Sequence, residues 1–219
     1  MTEPDYRNWL VQLFDHAEDR QDWWFDADFV YEPIAPRTLV AHALRLFEAP
    51  ALLMSRYSDG QIAAGFKYLI DSGCGGDLRL ISHSDVPQSD RLALAGRIDR
   101  VYSQIFGARC GPYLGHLSEG SESPLSMLCY MWWDVITLDP IGTPQLDAEF
   151  REALIEAMGR TLALPHAACQ EGALHGLGHW GNWAPERSAA LIDAFLAENR
   201  AMRPELVAYA RAAGSGCVQ

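Results

Sequence analysis

Apolar residues recur every three or four positions along most of this chain. Leu94, Ile98, Val101 and Ile105 are spaced four, three and four apart, and Phe150, Leu154, Met158 and Leu162 advance in steps of four. That period places such residues on one face of an α-helix, whereas a half-buried strand would alternate. The pattern predicts an all-α fold. Helices are expected after the Thr2–Asp5 capping signal, after Pro36, and over "DGQIAAGFKYLID", which the glycines of "SGCGG" end. "QSDRLALAGRIDRVYSQIF" reads as one long amphipathic helix. "PLSMLCYMWWDVITL" is apolar almost all round and is expected to be buried. "DPIGTP" then breaks the chain before "LDAEFREALIEAMGRTLAL".

"EALIEAM" (Glu152 to Met158) returns 37 residues later as "AALIDAF" (Ala189 to Phe195), each after an apolar helix and a proline-containing turn. Helical hairpins repeating at about 40 residues are the signature of an α-solenoid. The stretch from Ala173 to Leu196, "ALHGLGHWGNWAPERSAALIDAFL", resembles one HEAT repeat of the lyase-associated type. It has an Ala-Leu-x-x-Leu-Gly first helix, a Gly/Pro turn and an Ala-Leu-Ile-x-Ala-Leu second helix. The unit before it carries tryptophans in place of small residues. The resemblance implies antiparallel helical hairpins stacked as a short HEAT-like α-solenoid. It also implies a binding scaffold, since a minority of such arrays carry metal-dependent enzymes. A single all-α domain over residues 1–219 is expected, with N-terminal helices and an acidic aromatic segment in 1–58 and the HEAT-like pairs in 59–219.

Twenty-nine acids against seventeen bases give a net charge of −12. Phosphate backbones and anionic membrane surfaces should be repelled, so no nucleic acid and no membrane is expected as a partner. The longest uncharged apolar run is far short of the roughly 20 residues that span a bilayer, and "MTEPDYRNWL" has no apolar signal core. A cytoplasmic protein is expected. Its five cysteines form no CxxC pair and suggest neither a disulfide framework nor a zinc ribbon.

Two regions carry candidate function. In "CQEGALHGLGHW", Cys169, Ala173, Leu177 and Trp180 form a core stripe beside a flat strip of Gly172 and Gly176. Glu171, His175 and His179 fall in a row on the far flank. A carboxylate and two imidazoles are a familiar ligand set for iron or zinc. From Glu171 to His179, however, the helix rises about 12 Å, so one ion could take only an adjacent pair. A further ligand would have to come from Asp134, His116 or His166. No tandem metal motif is present, and no cofactor is expected. The plainer reading has Glu171 supporting His175 as an i,i+4 pair and both histidines hydrogen-bonded across a helix interface. Trp132 and Trp133 diverge by 100° on their helix, so they cannot share one core face. The second ring is expected to pack between helical layers, with lining a groove or second interface as the alternative. An inter-helical pocket of His175, His179, Trp133, Asp134 and Glu171 would bind a small-molecule ligand, in an enzyme working with or without a metal.

The second region, Asp15 to Glu32, holds seven acids, one arginine and the run Trp23, Trp24, Phe25. Trp23 and Trp24 as anchors with Asp22 and Asp26 as steering charges would dock a basic protein partner, in an immunity- or scaffold-like role. Alternatively, the aromatics tuck back onto the first two helices. Protein binding is the leading expectation and a metal-dependent enzyme the alternative. No phosphate loop, nucleophile elbow or Cys/His catalytic spacing is present.

Overall fold

The computed structural model describes residues 2–30, 32–53, 55–138, 144–198 and 202–218, together with the backbone alone of Pro144. Among these residues the structure is all-α. The main helices are α1 (Glu3–Phe14), α2 (Pro36–Glu48), α3 (Asp59–Ile70), α4 (Gln88–Ala95), α5 (Ile98–Val101), α6 (Gly107–Arg109), α7 (Pro124–Val135), α8 (Pro144–Leu162), α9 (Ala167–Trp180), α10 (Pro185–Glu198) and α11 (Pro204–Gly214). The break expected at "DPIGTP" lies largely in 139–143, outside the described residues.

Local chemistry accounts for several boundaries. The Thr2 hydroxyl accepts from the Asp5 amide while the Asp5 carboxylate accepts from the Thr2 amide, a reciprocal cap that starts α1. Ser58 and Gln61 repeat this at α3. The helix expected over Gln88–Phe106 is interrupted. Gly96 and Arg97 separate α4 from α5, and Tyr102–Phe106 forms a π-helical turn leading into α6. Leu94, Ile98, Val101 and Ile105 are nonetheless all buried. The periodicity identified the apolar face correctly but not the break, because a π turn shifts register without changing which residues are apolar.

At the centre lies α9, which packs against α7, α8 and α11, while α7 also packs against α3. Every residue from Ala168 to Gly178 is buried, so α9 is enclosed on all sides. Its glycines let neighbours approach closely. A Cβ on Gly172 would stand 2.5 Å from the Cys129 carbonyl oxygen of α7, and one on Gly176 would stand 2.6 Å from the Trp133 ring. Both tryptophans of α7 are buried, packed between helices rather than lining a groove. Trp132 packs on Phe47, Phe66 and Phe106, and Trp133 lies between Tyr102 and Trp180. A helix covered by α3 on one side and α9 on the other has a core on both faces. Cys110, Cys129 and Cys169 are free and buried.

Trp23 and Trp24 also belong to this core. Trp23 is 2 % exposed, stacks on His16 at 3.8 Å and lies 4.6 Å from the Tyr68 ring. Rings held this way cannot serve as free anchors for a partner. Asp26 instead pairs with Arg20 within the segment, and Asp22 lies 3.8 Å from the same guanidinium. Phe25 is left exposed at 73 %.

Candidate metal centre

The last turn of α7 carries Asp134, and the second half of α9 carries His175 and His179, four residues apart on one face. The close approach of α7 and α9 over Gly172 and Gly176 brings them together. His175 Nε2 is 2.9 Å from Asp134 Oδ2, and His179 Nε2 is 3.2 Å from Asp134 Oδ1. One ligand atom from each of the three residues lies within 4.8 Å of the other two. A carboxylate only accepts, so His175 donates from Nε2, while the His179 ring lies beside the other carboxylate oxygen.

Behind His175 lies a buried hydroxyl chain. His175 Nδ1 is 2.5 Å from the Tyr209 hydroxyl of α11, which is 3.1 Å from the Tyr130 hydroxyl of α7. With Nε2 donating to Asp134, Nδ1 accepts from Tyr209. Burial lowers the pKa of His175, opposed by its hydrogen bond to Asp134, and burial raises that of Tyr209. A neutral imidazole and a neutral phenol suit this pairing.

Glu171 takes a different part from the one its spacing suggested. Its buried carboxylate turns to the 3-10 turn Gly115–Leu117. There it accepts from the Gly115 amide at 2.6 Å, the His116 amide at 3.2 Å and His116 Nδ1. No hydrogen bond joins it to His175 among the described residues. The i,i+4 pairing is replaced because two backbone N–H groups and an imidazole satisfy a buried carboxylate better than one neighbouring ring does. The His116 ring then stacks on Tyr209 at 4.6 Å, so Glu171 holds one wall of the hydroxyl chain. Trp133 precedes Asp134 and fixes it by packing under Gly176 and by accepting a bond at its carbonyl from the Trp180 indole at 3.1 Å. His166 lies elsewhere, its Nε2 3.1 Å from the Cys110 carbonyl.

The electrostatics favour a cation. Asp134 and His179 each sit in the last turn of a helix, where unpaired carbonyls already make the surroundings negative. No Lys or Arg pairs with Asp134 among the described residues; its partners are the two imidazoles. His175 is fully buried, while Asp134 and His179 keep 26 % and 41 % side-chain exposure, so the cluster opens on one side to solvent. Two nitrogens and a carboxylate oxygen suit zinc or ferrous iron, and three protein ligands leave positions for water or an exogenous molecule.

Tyr209 and Tyr130 were not singled out from the sequence. Tyr209 is 34 residues beyond His175 on another helix, and no local spacing marks such a partner. No family model, no curated protein and no solved structure matches this chain.

Proposed function

We propose that this protein binds a divalent transition-metal ion through His175 Nε2, His179 Nε2 and the Asp134 carboxylate, and acts as a metal-dependent enzyme. The observation that carries this reading is the convergence of three ligand atoms at the solvent-facing ends of α7 and α9, with no lysine or arginine paired with the carboxylate among the described residues. Bonds near 2 Å from a common ion separate neighbouring ligand atoms by roughly 3 Å. The two imidazoles reach different oxygens of Asp134, at 2.9 and 3.2 Å. One ligand atom from each of the three residues lies within 4.8 Å of the others, so small side-chain rotations would bring them to that spacing. With Nε2 as a ligand, His175 would carry its proton on Nδ1 and donate it to the Tyr209 hydroxyl, giving the ligating imidazole the outer hydrogen bond such ligands require. When bound, the ion supplies a Lewis acid and an acidified water, the requirements of hydrolytic or hydration chemistry.

The test is elemental analysis of the purified protein beside its His175→Gln, His179→Gln double variant. About one equivalent of zinc or iron in the wild type, and none in a variant with unchanged circular dichroism, supports the reading. Equal metal in both overturns it.

A protein-partner reading has narrower support. Phe25 and Val30 are largely exposed in the same acidic segment as Asp22 and Asp26, which suits a basic partner docking by those two side chains rather than by Trp23 and Trp24. We likewise hold the HEAT-like stacking of hairpins as a proposal, supported by the 37-residue echo falling on α8 and α10.

A further inference from the structure

A groove of about 630 Å³ runs between α1 and α2, far along the chain from the metal cluster and floored in part by Tyr68 of α3. Its lining among the described residues contains the carboxylates of Asp5, Glu32 and Asp77, and neither lysine nor arginine. Among the lining side chains is His42 of α2, which is 1 % exposed and whose Nδ1 is buried without a hydrogen-bond partner. A buried polar atom left unpaired costs free energy, and in native structures most such atoms find a partner. The ring packs against Trp9 at 5.2 Å and Tyr6 at 5.5 Å, which also touch each other at 6.0 Å. Burial lowers its pKa, against the pull of Asp5, so it stands as a neutral imidazole with one nitrogen free to accept.

We propose that this groove is a binding site for a small organic cation, an ammonium or guanidinium on an apolar body. Its N–H group donates to the His42 imidazole. Its charge faces Asp5 and Glu32, and its body lies on Trp9, Val30 and Ile34. Asp5 is held in its ionised form by hydrogen bonds from the side chain and amide of Thr2. Beside the groove, the Arg45 guanidinium lies over the Tyr6 ring at 4.0 Å, with its charge matched by Glu3 at 2.7 Å. The net charge of −12 adds a favourable field for any cation approaching this face.

The experiment uses the full chain in chelator, which empties the metal cluster and keeps the two sites separate. Benzylammonium is titrated in while the His42 ring signal is followed by NMR, with benzyl alcohol and benzoate as neutral and anionic controls. A saturable His42 shift with benzylammonium alone is expected. Glu32→Gln should weaken it about two- to fivefold, the scale of one partly exposed ion pair. His42→Phe, which keeps the aromatic contacts with Tyr6 and Trp9, should abolish binding. If that variant does not fold, the Glu32→Gln titration and the controls still decide. Equal binding of benzyl alcohol, an affinity unchanged in Glu32→Gln, or no saturation with benzylammonium would overturn the proposal.

Discussion

Replacing Gly176 by alanine tests the link between helix packing and the site. A Cβ there would stand 2.6 Å from Cδ1 and Cγ of Trp133 and 3.1 Å from its Cβ. The ring cannot swing aside, because Tyr102 faces it at 6.5 Å, Trp180 abuts it at 5.8 Å and the residue is 1 % exposed. Either α7 moves away from α9 or the tryptophan leaves its rotamer, and overpacking of this kind costs about 1–3 kcal/mol. Removing a glycine from a helix returns roughly 1 kcal/mol, so a net loss of up to about 2 kcal/mol is expected. For a chain of this size that lowers Tm by roughly 2–8 °C. Asp134 follows Trp133 directly, so the same displacement should loosen its bond to His175 and weaken metal binding. The assay is thermal unfolding by circular dichroism with zinc affinity measured in parallel. Gly214→Ala, where the nearest atom is 3.8 Å away, serves as the unobstructed control. If Gly176→Ala were as stable as the wild type and bound zinc equally well, the close approach of α7 and α9 would not be what assembles the site.

Three further outcomes follow from the structure. Trp23→Ala should cost about 3–5 kcal/mol, as for other buried aromatic truncations, whereas Phe25→Ala should stay within about 0.5 kcal/mol; similar urea midpoints for both would refute the assignment of Trp23 to the core. His175 and His42 both have pKa values lowered by burial, so the unfolded chain takes up their protons first. Stability should therefore be full above the unfolded value near 6.5 and fall as pH drops through it. His166, raised mainly by its bond to Cys169, works in the opposite sense, so the acid-side loss should shrink in His175→Gln when urea midpoints are compared between about pH 7.5 and 5.5. Tyr209→Phe removes the outer partner of His175 and should lower metal affinity about 10- to 100-fold, and an unchanged affinity would show that the hydroxyl chain does not orient the imidazole.

The helices were legible because their apolar period is set residue by residue: Phe150, Leu154, Met158 and Leu162 are all buried as their spacing requires. The surroundings of each helix were not. On a wheel, Glu171 and His175 lie off the apolar stripe of α9, yet both are fully buried, because α11 and the 115–117 turn cover that flank. Small residues at 172 and 176 signalled a close neighbour without saying which one. That α7 is this neighbour is a long-range fact, and it carries Asp134 to the two histidines. The tryptophans show the same limit, since a run of acids around Trp23 and Trp24 reads as surface until Tyr68 and His16 are placed against the rings.

The most direct test of the metal centre is calorimetric titration of chelator-stripped protein with zinc, wild type beside Asp134→Asn. Saturable binding of one ion per chain is predicted for the wild type, weakening as pH falls because protons compete with the metal for its ligands. In Asp134→Asn, loss of the anionic ligand should reduce affinity at least tenfold, or about 1.4 kcal/mol. No saturable heat with the wild type, or identical isotherms for the two proteins, would contradict a metal held by Asp134, His175 and His179.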